Sequence, residues 1–340
     1  LSRAAVRALN GGARDGGFFH NTGEGGVSPY HVEPGGDLCW QIGTGYFGCR
    51  AADGGFDAAC FQETVRGNPS IKLIEIKLSQ GAKPGHGGIL PASKVTEEVS
   101  RIRGVPMGAD VLSPPSHKAF SGPDGLVAFV AQLRELSGGL PVGFKLCIGK
   151  PQDFLAICKA MEKAGVTPDF ITVDGGEGGT GAAPLEFSNS MGAPLFDGLH
   201  FVNGALTCLG LRQRITLIAS GGVIDGFDMA VRMALGADLC SSARGMMFAL
   251  GCIQALRCNS NDCPTGVATQ DETLERGLIS TEKRPRVAHF QEGTVHALLE
   301  LCGAAGLAGP HELAPHLIHR RISPTQTVTL DEIYPPVRLD

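Results

Sequence analysis

The chain has 340 residues, of which 43% are hydrophobic and 19% are charged, and its formal net charge is −5. This size and balance suit one large α/β domain or two ordinary ones, and they argue against a disordered chain. A negative net charge with scattered basic residues also argues against a nucleic-acid partner. Apolar stretches such as residues 215–219 are too short to cross a bilayer.

Short apolar runs alternate with helical patterns along the chain, which predicts parallel strands joined by crossover helices. Residues 1–9 are predicted to start the first such helix. Seven barrel strands are then predicted, in chain order, at residues 38–42 or the preceding 18–21, 71–78, 109–113, 142–147, 170–173, 215–220 and 237–241. Because a closed barrel needs eight strands, we expect the first strand to lie upstream of Leu1. The predicted fold is an α/β TIM (β/α)8 barrel over residues 1–305, followed by an irregular tail at residues 306–340.

Positive side chains cluster after the predicted strand 71–78. Lys77, Gln80 and Lys83 are followed by Arg103, and such a group at one mouth of a barrel suits a substrate with two carboxylates. The alternative is an ordinary solvated basic surface. Farther along the chain, Lys145 lies near a predicted strand end, where a cation can stabilise negative charge on a reduced flavin ring. A lysine at a strand end can also simply reach solvent.

Three glycine-rich segments, at residues 174–181, 220–226 and 241–245, each follow a predicted strand. Glycines let backbone amides approach a phosphate. In a barrel, the loops after the last two strands form the usual anion site with the helix that follows. The pattern therefore predicts a phosphate-bearing cofactor. The alternative is that these glycines only close tight turns between strands and helices.

Three closely spaced cysteines, Cys252, Cys258 and Cys263, follow the last predicted strand and its helix, and Pro264 comes directly after the third. This spacing suits an iron–sulfur cluster with an open corner, whereas zinc sites more often use CxxC pairs and a fourth ligand. Free cysteines are also frequent core residues. Because the eleven cysteines are odd in number and clustered, they indicate reduced thiols, and we expect a reducing, cytoplasmic compartment.

Several ordered sequence strings resemble the FMN-binding glutamate synthase family. The resemblance extends to the synthase domain of the large subunit and, more closely, to stand-alone bacterial glutamate synthase-like proteins. The matching strings are residues 20–26, 76–85, 112–115, 174–184 and 251–270. Long strings in the same order are far more specific than a single glycine motif.

The resemblance implies an FMN-dependent TIM barrel with FMN and a 3Fe-4S cluster. Such an oxidoreductase would reduce 2-iminoglutarate, formed from 2-oxoglutarate and ammonia, to L-glutamate. By motif position, Lys83 and Glu24 would be catalytic, and 2-oxoglutarate would be bound by Lys77, Gln80, Lys83 and Arg103. FMN would be bound by Lys145, Gly178, Gly179, Gly221, Gly222, Ala243 and Arg244, and the cluster by Cys252, Cys258 and Cys263.

The chain departs from the family pattern in the loop that contains Lys83, called the lysine loop below. Where the large synthases usually have Gly-Glu-Gly-Gly-Gln, this chain has Gly85-His-Gly-Gly-Ile89, which removes a carboxylate and an amide from the expected substrate wall. The sequence contains neither the glutamine-hydrolysing domain nor the β-helix of the large enzymes. We therefore expect ammonia from solvent or a separate subunit, and electrons from a ferredoxin or a reductase subunit. Two alternatives stay open: an N-methylglutamate synthase-like enzyme, and an electron-carrying subunit without its own substrate turnover.

Overall fold

The computed structural model describes residues 1–178, 183–184 and 186–339, and its centre is a parallel sheet surrounded by helices. The elements are, in chain order, α1 (Arg3–Gly16), β1 (His20–Asn21), α2 (Pro29–Val32), β2 (Leu38–Ile42), α3 (Ala58–Gly67), β3 (Ile71–Lys77), β4 (Ile89–Leu90), α4 (Glu97–Arg103), β5 (Val111–Leu112), α5 (Gly122–Leu136), β6 (Val142–Cys147), α6 (Pro151–Ala164), β7 (Phe170–Asp174), α7 (Leu195–Cys208), β8 (Thr216–Ser220), α8 (Gly226–Ala234), β9 (Leu239–Ser241), α9 (Arg244–Leu250), α10 (Glu272–Glu275), α11 (Ser280–Ala304), β10 (His319–Ser323), β11 (Gln326–Thr329) and α12 (Leu330–Ile333). Short 3-10 helices cover Ala92–Lys94, Arg212–Arg214, Pro310–Glu312 and Pro315–Leu317. Within this described part, no helix is both long enough and apolar enough to cross a membrane.

Seven parallel strands form the main sheet in the order β1-β2-β3-β6-β7-β8-β9. A helix lies between each pair of successive strands, which is the arrangement of a (β/α)8 barrel. The outward faces of the strands are apolar because the helices cover them. Trp40, Ile74 and Phe144 are fully buried in one core cluster with Phe129 of α5. The predicted α/β barrel is therefore confirmed, with β1 and β9 as the edge strands of the described sheet, while a strand upstream of Leu1 stays a prediction.

One predicted barrel strand is wrong. Of residues 109–113, only Val111–Leu112 are extended, and they pair antiparallel with Ile89–Leu90 in a separate two-stranded sheet. Leu112 is 67% exposed, so this short apolar run lacks the burial of a barrel strand. Conversely, residues 18–21 and 38–42, which the sequence presents as alternatives, both contribute strands, because β1 pairs with β2. The miniature sheet and α4 thus form an excursion from the barrel between β3 and α5.

Side chains that point into the barrel form layers because alternate residues of a strand face the same side. Toward the amino-terminal ends of the strands, Cys39, Phe170 and Ile218 form a small apolar cluster. The next layer is polar and contains Asn21, Gln41, Glu75 and Thr172. Toward the carboxyl ends lie Lys77, Lys145 and Asp174. The charged layer therefore lies at the end of the barrel where the active sites of this fold are found.

The segment that follows α11 has more regular structure than the irregular tail that the sequence predicts. It contains the antiparallel hairpin β10–β11 and the short helix α12. Leu330 of α12 is buried in the main core cluster, and Val337 packs against Gly204 of α7. A domain boundary at residue 305 stays a prediction. Residues of the last segment nevertheless cover part of the helical layer.

Candidate active site

Glu24 lies among cationic side chains at the mouth of the barrel. Its Oε2 accepts a hydrogen bond from Lys77 Nζ at 3.0 Å, and the same Nζ donates to Gln80 Oε1 at 3.1 Å. Burial acts to raise the pKa of this carboxyl group, but Lys77, Lys83 and Arg103 together hold it below its ordinary value. The structure therefore brings together all five residues to which the resemblance assigns catalysis or substrate binding.

Lys83 and Arg103 reach this cluster from the excursion after β3. Lys83 is only 5% exposed, and its Nζ donates a long hydrogen bond to Gly87 O at 3.4 Å. Burial lowers the pKa of Lys83, with the Glu24 carboxylate opposing that shift. Helix α4 ends at Gly104, whose φ of 63° stops the helix directly after Arg103. The Arg103 guanidinium then lies over the Phe47 ring, 4.9 Å from its centroid.

The departures from the family pattern in the lysine loop have distinct positions. Gly88 lies against the carboxylate of Glu24, since a Cβ atom built at Gly88 would be 2.4 Å from Glu24 Oε1. The exposed His86 ring packs edge-on against Phe187, with centroids 4.7 Å apart. Ile89 belongs to β4 and is also exposed. The space beside Glu24 is therefore bordered by a glycine rather than by either substituted side chain.

Lys145 forms an ion pair that the sequence does not reveal. Its Nζ lies 3.2 Å from Asp174 Oδ2, and the same oxygen accepts a hydrogen bond from Gly81 N at 3.0 Å. Lys145 is also the register partner of Lys77 on the adjacent strand. A Cβ atom built at Gly221 would lie 3.8 Å from Asp174 Oδ1. Asp174 thus connects the predicted flavin lysine to the lysine loop and to the second glycine-rich segment.

The loops after β8 and β9 are joined to each other at the carboxyl edge. Gly221 and Gly222 have φ values of 137° and 62°, which favour glycine. The buried Arg232 of α8 donates from Nε to Gly221 O at 3.0 Å, and Ser242 Oγ donates to Val223 O at 2.7 Å. The sequence alone does not indicate this role of Arg232, because a lone arginine on a helix forms no motif. It holds the glycine turn in place.

Arg244 connects these loops to Gly178, another predicted flavin residue. Its Nη2 donates to Gly178 O at 3.0 Å. A Cβ atom built at Gly178 would lie 2.6 Å from Ala82 N, so this segment touches the lysine loop. Ala243 is the exposed residue that precedes α9. Gly179 lies outside the described residues. Gly178, Ala243 and Arg244 therefore lie at the same mouth as the cluster around Glu24.

The three predicted cluster ligands lie on the loop after α9, called the cysteine loop below. Burial raises the pKa of Cys258, as do its neighbours Cys252 and Cys263. Burial also acts to raise the pKa of Cys263, but hydrogen bonds led by the Ala268 backbone N–H lower it overall. Within the described residues, no three His, Cys, Asp or Glu side chains are grouped so as to hold a metal ion. The cluster ligands therefore stay a prediction.

Lys94 joins the cysteine loop to the excursion between β3 and α5. Its buried Nζ donates to Cys258 O at 2.8 Å and to Ala268 O at 3.1 Å. Lys94 lies in the same excursion that carries Arg103. The sequence alone does not indicate this contact, because Lys94 lies more than 160 residues from Cys258 along the chain.

Gly81 allows two loops of the site to meet. A Cβ atom built at Gly81 would lie only 1.7 Å from Gly175 O. We expect Gly81→Ala to lower the free energy of unfolding by about 1–3 kcal/mol, because the added methyl group forces the loops apart. Denaturant unfolding measures the effect. Gly67→Ala is the control, since a Cβ atom there meets nothing within 4 Å, and equal losses in both variants would contradict the prediction.

Comparison with known proteins agrees with this arrangement. The family described as "Conserved region in glutamate synthase" matches residues 1–308. The glutamate synthase large subunit-like protein YerD of Bacillus subtilis is 42% identical over 323 residues, covering 94% of this chain and 61% of that protein. An archaeal glutamate synthase [NADPH] of Methanocaldococcus jannaschii is 36% identical over 293 residues, covering 86% of this chain and 54% of the relative.

Solved structures extend the comparison of the fold. A flavocytochrome b2 variant with sulfite bound has a TM-score of 0.55 at 15% identity, covering 98% of this chain and 70% of that one. At this identity the likeness concerns the fold alone. The chain spans little more than half the length of the two sequence relatives. Because the family match covers most of the chain, this protein belongs to the glutamate synthase family.

Proposed function

We propose that this chain is an oxidoreductase that reduces 2-iminoglutarate, formed from 2-oxoglutarate and ammonia, to L-glutamate. The observation that carries the proposal is the placement of Glu24 among Lys77, Lys83 and Arg103. Three cations and one carboxylate leave two positive charges in excess, which matches the two carboxylates of 2-oxoglutarate. The name of the archaeal relative, a glutamate synthase, supports the same reaction.

FMN fits the groups at this mouth. Gly221 and Gly222 have backbone angles that a side chain would strain, and the exposed Arg244 guanidinium and the Lys145 ammonium supply positive charge for an anion and a reduced ring. When bound, FMN supplies the hydride donor. The residues that would hold it are Lys145, Gly178, Gly179, Gly221, Gly222, Ala243 and Arg244.

The cysteine loop fits a 3Fe-4S cluster in its donor chemistry. Backbone N–H groups around Cys263 favour its thiolate form, which is the form that binds iron. When bound by Cys252, Cys258 and Cys263, such a cluster supplies one-electron transfer. Electrons would come from a ferredoxin or a reductase subunit, and ammonia from solvent or a separate subunit.

The side chains around Glu24 have different tasks in this reaction. Lys77, Lys83 and Arg103 bind and orient the carboxylates of the substrate. We assign Glu24 to the substrate nitrogen, which becomes positively charged when the imine is protonated. Because its pKa is held low, Glu24 is ionised at neutral pH and stabilises that charge rather than donating a proton. Gln80 Oε1 accepts a hydrogen bond from the Lys77 ammonium and so helps to position it.

Anaerobic mixing tests the proposal directly. The photoreduced protein is mixed with 2-oxoglutarate and ammonium, the flavin absorbance is followed, and L-glutamate and iron are quantified. We expect reoxidation of the flavin only when both substrates are present, with glutamate formed in equal amount. Reoxidation only with methylamine in place of ammonium would favour an N-methylglutamate synthase-like enzyme. A reduced flavin whose absorbance does not change with any 2-oxo acid would instead indicate an electron-carrying subunit.

Binding of 2-oxoglutarate is expected to weaken as the pH rises. Because burial lowers the pKa of Lys83, this side chain loses its charge at a lower pH than an exposed lysine does. The protonated form of Lys83 binds a carboxylate. The affinity for 2-oxoglutarate is therefore retained at pH values below this lowered pKa and lost at pH values above it. Titration calorimetry across alkaline pH measures the loss. The Lys83→Arg variant keeps its charge at alkaline pH, so its loss of affinity should occur at higher pH. If this variant showed the same pH dependence as the wild type, the loss could not be assigned to Lys83.

A further inference from the structure

Glu75 is a buried carboxylate that the roles above do not use. It is 2% exposed and lies on β3 in the polar layer beneath the charged mouth. Three neutral side chains donate to it: Asn21 Nδ2 at 2.9 Å, Gln41 Nε2 at 2.5 Å and Thr172 Oγ1 at 2.7 Å. A buried ionised group is costly unless it is hydrogen-bonded in this way. Both oxygens of the carboxylate thus accept hydrogen bonds from the layer around it.

Asn21 connects Glu75 to the turn that carries Glu24. While Asn21 Nδ2 donates to Glu75, its Oδ1 accepts a hydrogen bond from Gly23 N at 2.9 Å. Glu24 follows directly, in a turn outside regular secondary structure, and pairs with Lys77. The hydrogen bonds therefore run without a break from the barrel interior to the backbone next to Glu24.

We infer that Glu75 is a positioning residue for Glu24, an inference that rests on the proposed function. A carboxylate accepts hydrogen bonds and donates none, so it forces the Asn21 amide to turn its nitrogen inward and its oxygen toward Gly23. A glutamine at position 75 also presents an N–H group, which releases this constraint. The Asn21 amide can then flip, and its nitrogen cannot accept the Gly23 hydrogen bond.

Kinetics of Glu75→Gln in the full chain test this role. We expect the rate of flavin reoxidation at saturating 2-oxoglutarate and ammonium to fall about 10- to 100-fold, because the charge beside the substrate nitrogen is misplaced. Affinity for 2-oxoglutarate should stay within about twofold, because the binding cations are untouched. Thr172→Val is the matched control, since it removes a donor to Glu75 without touching the Asn21 link. A rate loss of the same size in this control would overturn the inference.

Hydrogen exchange of residues 20–26 provides a readout that needs no substrate. We expect Glu75→Gln to speed exchange at the Gly23 amide, and Thr172→Val to leave it protected. Asn21→Ala, which cuts the link from its other side, should reproduce both the faster exchange and the rate loss, and it serves if Glu75→Gln does not fold. Unchanged exchange in both variants overturns the inference. Should the wild-type chain not turn over 2-oxoglutarate, the exchange result still decides whether Glu75 orders this turn.

Discussion

Glu24→Gln is expected to lower 2-oxoglutarate-dependent turnover by about 10²–10³-fold while leaving 2-oxoglutarate binding as tight or tighter. The ionised carboxylate stabilises the positive charge on the nitrogen of the protonated imine, and a neutral amide of the same shape cannot. The substitution also frees Lys77 from its ion pair and raises the excess positive charge at the mouth. Attraction for a dicarboxylate therefore does not fall. Stopped-flow flavin reoxidation gives the rate, and calorimetry gives the affinity.

Glu33→Gln is the matched control for this variant. Glu33 also forms an ion pair, with Arg7, but on the exposed surface of the molecule. Such pairs contribute little, so turnover should stay within about twofold of the wild type. If Glu24→Gln weakened binding in proportion to its loss of rate, the carboxylate would be acting on substrate capture, and the role assigned to it would be wrong.

Lys83→Met is expected to weaken 2-oxoglutarate binding about 10- to 100-fold, because it removes a cation that pairs with a substrate carboxylate. The same substitution should not destabilise the folded protein. Burial lowers the pKa of Lys83, which means that the fold disfavours the charged form of this side chain. An apolar side chain of similar length removes that cost. The melting temperature should therefore stay equal or rise while affinity falls.

Two measurements on each variant separate these effects. Calorimetric titration with 2-oxoglutarate gives the affinity, and thermal unfolding gives the stability. Lys163→Met is the control, since Lys163 forms an exposed ion pair with Asp124 on the helical layer. This variant should change neither quantity appreciably. A Lys83→Met protein that bound 2-oxoglutarate like the wild type would remove Lys83 from the substrate site.

Much of the site could be predicted from local patterns. Strands β3, β6, β7 and β8 follow from short apolar runs that end in glycine or charge, and these runs depend on neighbouring residues only. Parallel strands in a barrel present their carboxyl ends at one edge, so charged residues at those ends must meet. Lys77 and Lys145 do so as register partners. The motif strings then indicated which family the chain resembles.

Contacts between distant residues could be found only in the folded chain. Asp174 pairs with Lys145, Lys94 reaches the cysteine loop, and Asn21 joins Glu75 across 54 residues. The predicted barrel strand at residues 109–113 is wrong for the same reason, because burial depends on what packs against a segment. Composition and periodicity describe each segment alone. Partner choice among polar groups follows from packing, which brings together atoms that the linear order leaves apart.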